Sequence, residues 1–301
     1  MSNVIEVQGL TKRFGSLVAV DDISFAVQRG EIFGLLGKNG AGKTTTVEIL
    51  EGYQSADAGT VHVLGVDPKN GGASWKDRIG LVLQDSDFDP GHTVSETVNL
   101  FAGFFSRPKS VSETLALVGL TDKADVRIGR LSGGQRRRVD VALGIIGSPE
   151  LLFLDEPTTG FDPSARREFW TMLEGLRSTG TSILLTTHYM EEAQHLCDRI
   201  AILATGRIVA EGTSSTLIAL AGTTSVRFTN DDALDIDAIS SATHISLHVV
   251  GDSVSAELAN AQEDLLRLLH YCEASRIVLG GLEVVRPTLD DVFLDVTGEH
   301  S

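Results

Sequence analysis

The stretch Gly37-Lys38-Asn39-Gly40-Ala41-Gly42-Lys43-Thr44 follows the short apolar run 31–36 and leads into residues 45–50, whose composition predicts a helix. It fits the pattern G-x-x-x-x-G-K-[ST], which requires a strand before it and a helix after it. Glycines let the backbone wrap closely around a phosphate, and successive N–H groups at the helix start then face the anion. A flexible Gly-rich turn is the alternative, but the flanking strand and helix favour a phosphate-binding loop.

Side chains at the end of this loop predict how a nucleotide is held. We expect Lys43 to reach the β- and γ-phosphates and the Thr44 hydroxyl to ligate Mg²⁺. The neighbouring Thr45 is expected to support the α-phosphate. The loop therefore predicts a nucleoside triphosphate bound together with Mg²⁺.

Two carboxylates end a second apolar run, residues 151–154. Because a phosphate loop lies upstream, Asp155 is predicted to hold Mg²⁺ through water, as in other ATPases with such a loop. Glu156 lies one residue further on, nearer the γ-phosphate, where it can polarise an attacking water as general base. Without the loop, an acidic pair at the end of a strand would carry little information.

The segment Leu131-Ser132-Gly133-Gly134-Gln135 precedes residues 136–143, which are predicted to form a helix. Ser132 can donate its hydroxyl, and the two glycines can donate backbone N–H groups, to an anion at the helix start. Three arginines, Arg136–Arg138, oppose the helix dipole in a first turn, and a bound anion would relieve that conflict. A capped helix with a solvated run of charges explains the same residues equally well.

In this order and spacing, the phosphate loop, Leu131–Gln135 and Asp155-Glu156-Pro157 resemble the ATP-binding cassette (ABC) ATPase family. The resemblance covers about residues 3–215. It implies that ATP lies between the phosphate loop of one subunit and Ser132-Gly133-Gly134 of another, so that ATP binding closes a dimer and hydrolysis weakens it. The second subunit is then another copy of this chain or a related ATPase.

The resemblance also implies roles for residues outside these motifs. Phe14 matches the aromatic ring that stacks on adenine, although the family more often has Tyr there. Gln84 matches the glutamine that senses Mg²⁺ and water beside the membrane subunit. Asp162 matches the aspartate that acts across the dimer, after Gly160-Phe161 in place of the more frequent Ala-Leu. His188 matches the histidine that contacts the γ-phosphate, whereas a lone histidine is more often structural.

The predicted site is therefore the following set of residues. The nucleotide-binding residues are Phe14, Gly37, Lys38, Asn39, Gly40, Ala41, Gly42, Lys43, Thr44, Thr45, Ser132, Gly133, Gly134, Gln135 and Asp162. The catalytic residues are Glu156, His188 and Gln84, and the Mg²⁺ ligands are Thr44, Gln84 and Asp155. Zinc-type sites are not expected, because His188 and His195 lack close His or Cys neighbours, and His244 and His248 are predicted to lie on strands.

The predicted fold is α/β, with a RecA-like ABC ATPase core over residues 1–221 and a small α+β domain over residues 222–301. Strands alternating with helices predict a largely parallel sheet covered on both faces. Capping boxes at Thr93–Glu96 and Ser110–Glu113 indicate a helical subdomain inserted at about 86–149. Its phenylalanines, Phe101, Phe104 and Phe105, either pack its own core or form a docking surface for a partner.

The small domain is predicted to have the order βαββαβ, which matches a ferredoxin-like unit. Strands are expected at 225–228, within 244–258 and from Ile277–Leu279 to Val284-Val285, with helices near 233–240 and 265–272. Its ending, Arg286–Gly298, resembles that of daunorubicin-resistance-type exporter ATPases, which pair with a separate membrane subunit. An amphipathic helix with Leu289, Val292, Phe293 and Val296 on one face explains the same residues.

The composition limits the possible partners. The net charge is −16, and residues 222–301 carry 14 acidic and 4 basic side chains, a net −10. Such a chain is a poor match for nucleic acid, and its two distant cysteines suit a reducing cytosol. No apolar run approaches the roughly 18 residues needed to span a bilayer. We therefore expect a cytoplasmic protein, peripheral on the membrane, whose partner supplies the spanning part.

Taken together, these features predict the ATPase subunit of an ABC exporter for a small molecule or drug. The alternatives are the ATPase subunit of an importer and a soluble non-transport ABC ATPase. The last usually has two cassettes, long coiled coils or zinc modules, and this chain shows none of these in its sequence.

Overall fold

The computed structural model describes residues 2–83, 88–230 and 234–297. The strands are β1 (Asn3–Phe14), β2 (Leu17–Gln28), β3 (Ile32–Leu36), β4 (Ala58–Val63), β5 (Ile79–Val82), β6 (Leu151–Asp155), β7 (Ser182–Thr187), β8 (Arg199–Ala204), β9 (Arg207–Gly212), β10 (Ser225–Thr229), β11 (His248–Val250), β12 (Ser253–Glu257) and β13 (Glu283–Val285). The α-helices are α1 (Lys43–Leu50), α2 (Ala73–Lys76), α3 (Val94–Ala102), α4 (Val111–Leu117), α5 (Gly133–Ile145), α6 (Pro163–Arg177), α7 (Met190–Leu196), α8 (Ser214–Ile218), α9 (Ile236–Thr243), α10 (Ala261–Ser275) and α11 (Leu289–Thr297). Short 3-10 turns lie at Pro68–Asn70, Thr121–Lys123, Ile128–Arg130 and Ala219–Ala221.

The chain divides into two compact units, Met1–Ser214 and Ser215–Ser301, and each is described by itself below. The boundary predicted from the sequence, between 221 and 222, lies beyond α8 rather than at its start. The residues between the two boundaries form α8 and the turn that follows it, and this turn contacts α11 at the end of the chain. They therefore belong with the second unit in the structure.

A six-stranded sheet in the order β5-β6-β7-β3-β8-β9 forms the centre of the first unit. The first five of these strands are mutually parallel, and β9 closes the edge antiparallel to β8. Every residue of β3 and of β7 is buried, as expected for strands covered on both faces. The largely parallel α/β core predicted from the sequence is confirmed.

A second sheet of the first unit is antiparallel and has the order β2-β1-β4. β2 is one continuous strand, although the alternation of apolar and polar residues in its sequence is broken between 18–20 and 23–27. Its pairing with β1 shifts register between Lys12↔Val20 and Leu10↔Ile23, and Asp22 in this stretch has a φ of +55°. An extra residue in left-handed backbone interrupts the alternation without ending the strand, so the pattern looked like two strands.

The inserted segment is helical, as predicted, and contains α3, α4 and α5. Thr93 and Glu96 form the complete capping box at the start of α3. At the start of α4, the Ser110 hydroxyl accepts the N–H of Glu113 at 3.2 Å, which is one of the two hydrogen bonds of the predicted capping box. Of the three phenylalanines, Phe101 and Phe105 pack against the core beneath them, and Phe104 is 72% exposed.

The second unit has a four-stranded antiparallel sheet in the order β11-β12-β10-β13. The first and third strands of the βαββαβ order therefore lie at the centre, with the second and fourth at the edges, as in a ferredoxin-like unit. Apolar residues of α9 and α10, including Ile239, Leu268 and Cys272, share one core with Phe228 and Val254 of the sheet.

Two predictions in this unit are wrong at the level of single elements. His244 does not lie on a strand, because it ends α9 in left-handed backbone with a φ of +55°. Ile277–Leu279 is not a strand either. The edge strand there is β13, because α10 runs on to Ser275 and the chain needs residues 276–282 to return to the sheet. The closing helix is present as α11, with Leu289, Val292 and Phe293 buried.

Within residues 2–83, 88–230 and 234–297, the helices are all too short or too polar to cross a bilayer.

Candidate functional site

The phosphate loop connects the end of β3 to the start of α1, where its pattern requires it. Gly37 donates its N–H to the carbonyl of Thr187 at 3.3 Å, which ties the loop to the neighbouring strand β7. Gly40 and Gly42 have φ angles of +81° and +105°. A Cβ on Gly42 would lie 2.4 Å from the carbonyl oxygen of Ala19, so glycine is required there by both backbone angle and space.

Lys43 is the first residue of α1, and its side chain is only 4% exposed. Its Nζ donates to the carbonyl oxygens of Gly37 at 2.6 Å and Lys38 at 3.1 Å. The same nitrogen lies 3.3 Å from Oε1 of Glu156. The loop thus curls around its own ammonium group, which is held next to the carboxylate that follows β6.

Glu156 occupies strained backbone at the carboxyl end of β6, with a φ of +43°. Its N–H donates to the carbonyl and hydroxyl oxygens of Thr186, each at 3.1 Å. Its Oε2 lies 3.1 Å from Nδ1 of His188, which follows β7 directly. The neighbouring strands β6 and β7 therefore bring the predicted carboxylate and histidine together at one edge of the sheet.

Thr186 is a site residue that the sequence reasoning missed. Its hydroxyl donates to Oδ1 of Asp155 and accepts the N–H of Glu156, so it orients both carboxylates. A signal was available, because two threonines at the end of an otherwise apolar buried strand are polar groups that need partners. Thr187, the second of them, accepts the N–H of Tyr189 at 3.0 Å and shapes the turn at His188.

A groove of about 630 Å³ runs along the phosphate loop. Its lining includes the predicted residues Phe14, Lys38, Asn39, Gly40, Gly42, Lys43, Thr44, Thr45 and Glu156. Phe14 is 47% exposed, so an aromatic base can reach its ring, and the Lys12 ammonium lies over the ring at 5.4 Å from its centroid. Gly37 and Ala41 belong to the loop without lining the groove, and Ala41 is buried.

A second groove, of about 610 Å³, lies at the start of α5. Ser132, Gly133, Gly134, Phe161 and Asp162 are among its lining residues, and so is Glu156. No residue of 131–135 is among the described residues that line the phosphate-loop groove. Within one chain, the two sets of predicted nucleotide-binding residues therefore line separate grooves.

Ser132 is the N-cap of α5, and Gln135 completes a capping box with it. The N–H of Gln135 donates to the Ser132 hydroxyl at 3.2 Å, and the N–H of Ser132 donates to Oε1 of Gln135 at 3.0 Å. The N–H groups of Gly133 and Gly134 lie in the first turn of this helix, where the helix dipole favours an anion. The cap therefore holds Ser132 and the two glycines in a defined shape at the mouth of the second groove.

The arginines after this cap differ from the prediction. Because α5 begins at Gly133, Arg136 ends its first turn and Arg137 and Arg138 follow it, so the expected conflict with the helix dipole is reduced. A solvated charge run is also wrong for Arg137, which is 7% exposed and donates to three backbone carbonyls. Arg138 pairs with Glu168 at 2.9 Å near the surface.

Asp162 is the N-cap of α6 and accepts the N–H groups of Ser164 at 2.9 Å and Ala165 at 3.0 Å. These backbone hydrogen bonds, that from Ala165 first, hold the pKa of the Asp162 carboxyl below its usual range. The prediction that Asp162 acts across a dimer is compatible with this position, because the residue lines the second groove.

Glu192 on α7 is a buried carboxyl that the sequence reasoning did not single out. It is 0% exposed, and its Oε1 accepts from the Thr158 hydroxyl at 2.8 Å and from Nε1 of Trp170 at 3.1 Å. Burial raises the pKa of this carboxyl, against the opposing effect of its hydrogen bonds. A glutamate in a helix normally indicates a solvated face, so only the tertiary structure could reveal this contact between α7, α6 and the loop after Glu156.

A family model described as ABC transporter matches residues 20–159. A Nod factor export ATP-binding protein I of Ralstonia nicotianae is 38% identical over 305 residues, covering 99% of this chain and 94% of the relative. Another of the same name, from Bradyrhizobium diazoefficiens, is 44% identical and covers 72% of this chain and 73% of the relative.

The chain belongs to the ATP-binding subunits of ABC transporters.

Solved structures agree with the fold of this ABC ATPase. CbiO1 from Clostridium perfringens, described as part of the ABC transporter complex cbiONQ, has a TM-score of 0.66 at 25% identity, covering 73% of this chain and 92% of that one. An ATP-binding cassette in its ADP conformation has a TM-score of 0.64 at 24% identity, covering 72% and 93%. The predicted recognition and ATP-dependent activity are confirmed at family level, and the narrower daunorubicin-type resemblance stays a prediction.

As an ABC ATPase the chain binds ATP, and the oxygen donors near its loop also suit Mg²⁺. The exposed residue Thr44 lines the groove with its hydroxyl group. Asp155 supplies a carboxylate at the end of β6, in the same sheet as β3, the strand that leads into the loop. Mg²⁺ prefers oxygen ligands and is usually bound by one or two carboxylates together with phosphate oxygens and water. Gln84, the third predicted ligand, lies outside the described residues.

Proposed function

We propose that this chain is the ATP-hydrolysing subunit of an ABC exporter, acting on the cytoplasmic face of a membrane with a separate membrane-spanning subunit. Support for the direction of transport comes from the relatives, whose printed name is Nod factor export ATP-binding protein I. The similarity to the Ralstonia nicotianae protein extends over 99% of this chain, so it includes the second unit. The exported substrate would be selected by the membrane-spanning subunit.

The observation that carries the proposed chemistry is the position of the Glu156 carboxylate between Lys43 Nζ and His188 Nδ1, at 3.3 Å and 3.1 Å. Glu156 acts as the general base that takes a proton from the attacking water. Lys43 and the N–H groups of the loop bind the β- and γ-phosphates, and His188 orients Glu156 and contacts the γ-phosphate. Mg²⁺, held by Thr44, Asp155 and Gln84, supplies charge neutralisation on the phosphates when it is bound.

The two separate grooves support a site completed by a second subunit. The phosphate-loop groove binds ATP from one side, with Phe14 against the adenine ring. Ser132, Gly133, Gly134 and Gln135 of a second copy, or of a related ATPase, then cover the triphosphate from the other side. Binding of one ligand by both subunits stabilises the closed dimer, and hydrolysis removes that stabilisation.

A mixing experiment tests this arrangement directly. Lys43→Ala damages the phosphate loop, and Gly134→Asp places a carboxylate where a phosphate should bind, so each variant alone should hydrolyse little ATP. In a mixed dimer, the intact loop of the Gly134→Asp chain meets the intact Ser132 segment of the Lys43→Ala chain, and one working site forms. Turnover recovered on mixing supports completion in trans, and turnover that stays at the level of the separate variants contradicts it.

Export requires its own experiment. The chain is expressed with the membrane protein that co-purifies with it, and ATP-dependent movement of candidate compounds across the membrane of inside-out vesicles is followed. Transport into the vesicle lumen, lost in Glu156→Gln, supports export. ATP-dependent movement in the opposite direction indicates an importer, and the absence of any co-purifying membrane protein favours a non-transport ATPase.

A further inference from the structure

We propose that Arg137 is a positioning residue for ATP hydrolysis, because its guanidinium holds the backbone on both sides of Glu156 and joins it to helix α5, which Ser132 caps. The inference rests on the proposed role of Glu156 as general base. Arg137 itself contacts neither a phosphate nor the reacting atoms in this assignment. It acts through the backbone that carries the carboxylate.

Each of the three guanidinium nitrogens of Arg137 donates to a backbone carbonyl. Nε donates to the carbonyl of Pro157 at 3.0 Å, and Nη2 donates to the carbonyl of Asp155 at 2.9 Å. Nη1 donates to the carbonyl of Leu83, just beyond the end of β5, and lies 3.5 Å from Oδ2 of Asp140. The planar guanidinium presents its donors in a rigid fork, which an ammonium group cannot reproduce.

The carbonyls of Asp155 and Pro157 lie on either side of Glu156, whose backbone is strained. Glu156 has a φ of +43°, a conformation that a glutamate keeps only when its surroundings impose it. Thr186 fixes the N–H of Glu156 from the side of β7. Arg137 fixes the neighbouring carbonyls from the side of α5, so the direction of the carboxylate is set from two sides.

The helix that carries Arg137 also carries the groups proposed to meet the second subunit. Ser132 caps α5, and Arg137 lies in the same helix, one turn beyond Gly133. A ligand that draws the start of α5 closer would therefore change the position of the guanidinium, and with it the support of Glu156. Arg137 links the groove completed in trans to the general base of its own chain.

Burial makes a purely structural role a weaker explanation. A guanidinium that is 7% exposed loses most of its hydration, a cost that its ion pair with Asp140 at 3.5 Å and its hydrogen bonds have to offset. An apolar side chain of similar length would fill the same space at lower cost in desolvation. What such a side chain cannot do is bind the carbonyls of residues 83, 155 and 157 at once.

The experiment compares Arg137→Met and Arg137→Lys in the full chain, with Arg177→Met as the matched control. Met keeps the unbranched stem and removes all donors, and Arg177 forms an ion pair with Asp198 at 2.7 Å on the surface of α6. We expect kcat to fall on the order of 100-fold in Arg137→Met, as for a misplaced catalytic group, with a smaller loss in Arg137→Lys. Binding of a non-hydrolysable ATP analogue should stay within about threefold of the wild type, because the phosphate loop is untouched.

A double-mutant cycle separates positioning from general stability. If Arg137 acts through Glu156, then Arg137→Met should change residual turnover by less than about twofold in a Glu156→Gln background, measured under single-turnover conditions. An equal loss in both backgrounds overturns the inference, as does a loss of kcat that Arg177→Met reproduces. If Arg137→Met does not fold, the double-mutant cycle is measured with Arg137→Lys instead. Wild-type kcat in Arg137→Lys then overturns the inference.

The outcome also distinguishes this inference from the proposed function. If Glu156→Gln alone has unchanged turnover, Glu156 is not the general base. Both the proposed function and the positioning role of Arg137 then lose their basis. Lost turnover in Glu156→Gln, together with additive effects of Arg137→Met, leaves the proposed function intact and rejects only the positioning role.

Discussion

Nδ1 of His188 and Nζ of Lys43 contact different oxygens of one carboxylate, that of Glu156, at 3.1 Å and 3.3 Å. The three residues come from three places, the end of β7, the start of α1 and the end of β6. The Glu156 side chain is 10% exposed, so few other orientations are open to it. Each oxygen has a nitrogen partner on the protein, so the carboxylate is held between Lys43 and His188.

The first prediction concerns the charge of this carboxylate. Glu156→Gln keeps the shape of the side chain and removes its ability to take a proton from water. We expect ATP turnover to fall by at least about 100-fold, within the range found for loss of a general base. Nucleotide affinity should fall little or even rise, because the lost charge repels the triphosphate. Turnover by phosphate release and affinity by equilibrium dialysis measure the two effects.

Glu168→Gln serves as the control for this change. Glu168 lies on α6 with its side chain 66% exposed, in an ion pair with Arg138 that should contribute at most about 1 kcal/mol to stability. Its turnover should match the wild type. Near-normal hydrolysis by Glu156→Gln would remove the general base from the proposed mechanism.

The second prediction concerns His188. Removing its ring in His188→Ala frees Oε2 of Glu156 and removes a potential donor to the γ-phosphate, so we expect kcat to fall about 100-fold. His62→Ala, a change at an exposed histidine on β4, should leave turnover unchanged. Steady-state kinetics of the two variants make the comparison. If His188→Ala keeps wild-type kcat, the histidine has only the structural role that a lone histidine usually has.

The third prediction tests the loop geometry at Gly42. Gly42→Ala forces a side chain into a backbone with φ +105° and brings Cβ to 2.4 Å from the carbonyl oxygen of Ala19. The backbone strain alone costs roughly 1–3 kcal/mol, and the contact adds to it, so we expect a lower melting temperature and loss of nucleotide binding. Gly175→Ala is the matched control, because Gly175 lies within α6 with open space around its Cα. There alanine should stabilise by about 0.5–1 kcal/mol. Equal melting temperatures for the two variants would contradict the assigned strain.

The sequence allowed much of this site to be predicted because the signals are local. A phosphate loop is a run of neighbouring residues, and its backbone angles require glycine at the positions of Gly40 and Gly42. The end of an apolar strand places Asp155 and Glu156 at a sheet edge, and His188 follows the next strand by the same logic. Parallel strands bring their carboxyl ends together, so separate motifs become one site.

What could not be predicted depends on contacts between distant residues. Arg137 seemed solvated because nothing near it in sequence indicates that the carbonyls of Leu83, Asp155 and Pro157 surround it. Thr186 and Glu192 are ordinary residue types whose partners lie on other elements. In the second unit, the short apolar run Ile277–Leu279 has strand composition, but the end of α10 and the position of β10 decide where pairing begins.

The last prediction concerns Glu51, the residue that ends α1. It is 7% exposed, and burial, together with the nearby carboxylates of Asp155 and Glu48, raises its pKa from 4.5 to about 8. The folded protein therefore binds a proton that the unfolded chain releases above about pH 4.5. The resulting cost to stability is absent below pH 4.5, grows as the pH rises and is complete above about pH 8.

Glu51→Gln is neutral at every pH and should remove this cost. At pH 7 we expect the variant to be more stable than the wild type by roughly 3–3.5 kcal/mol, and at pH 5 by less than about 1 kcal/mol, counting about 1.4 kcal/mol per pH unit. Urea unfolding followed by tryptophan fluorescence measures the difference, since Trp75 and Trp170 are both buried in the first unit. Glu6→Gln, at an exposed position on β1, should show no such pH dependence. A stability difference that is the same at pH 5 and pH 7 would mean that Glu51 is ionised in the folded protein over this range, and that burial does not control its charge.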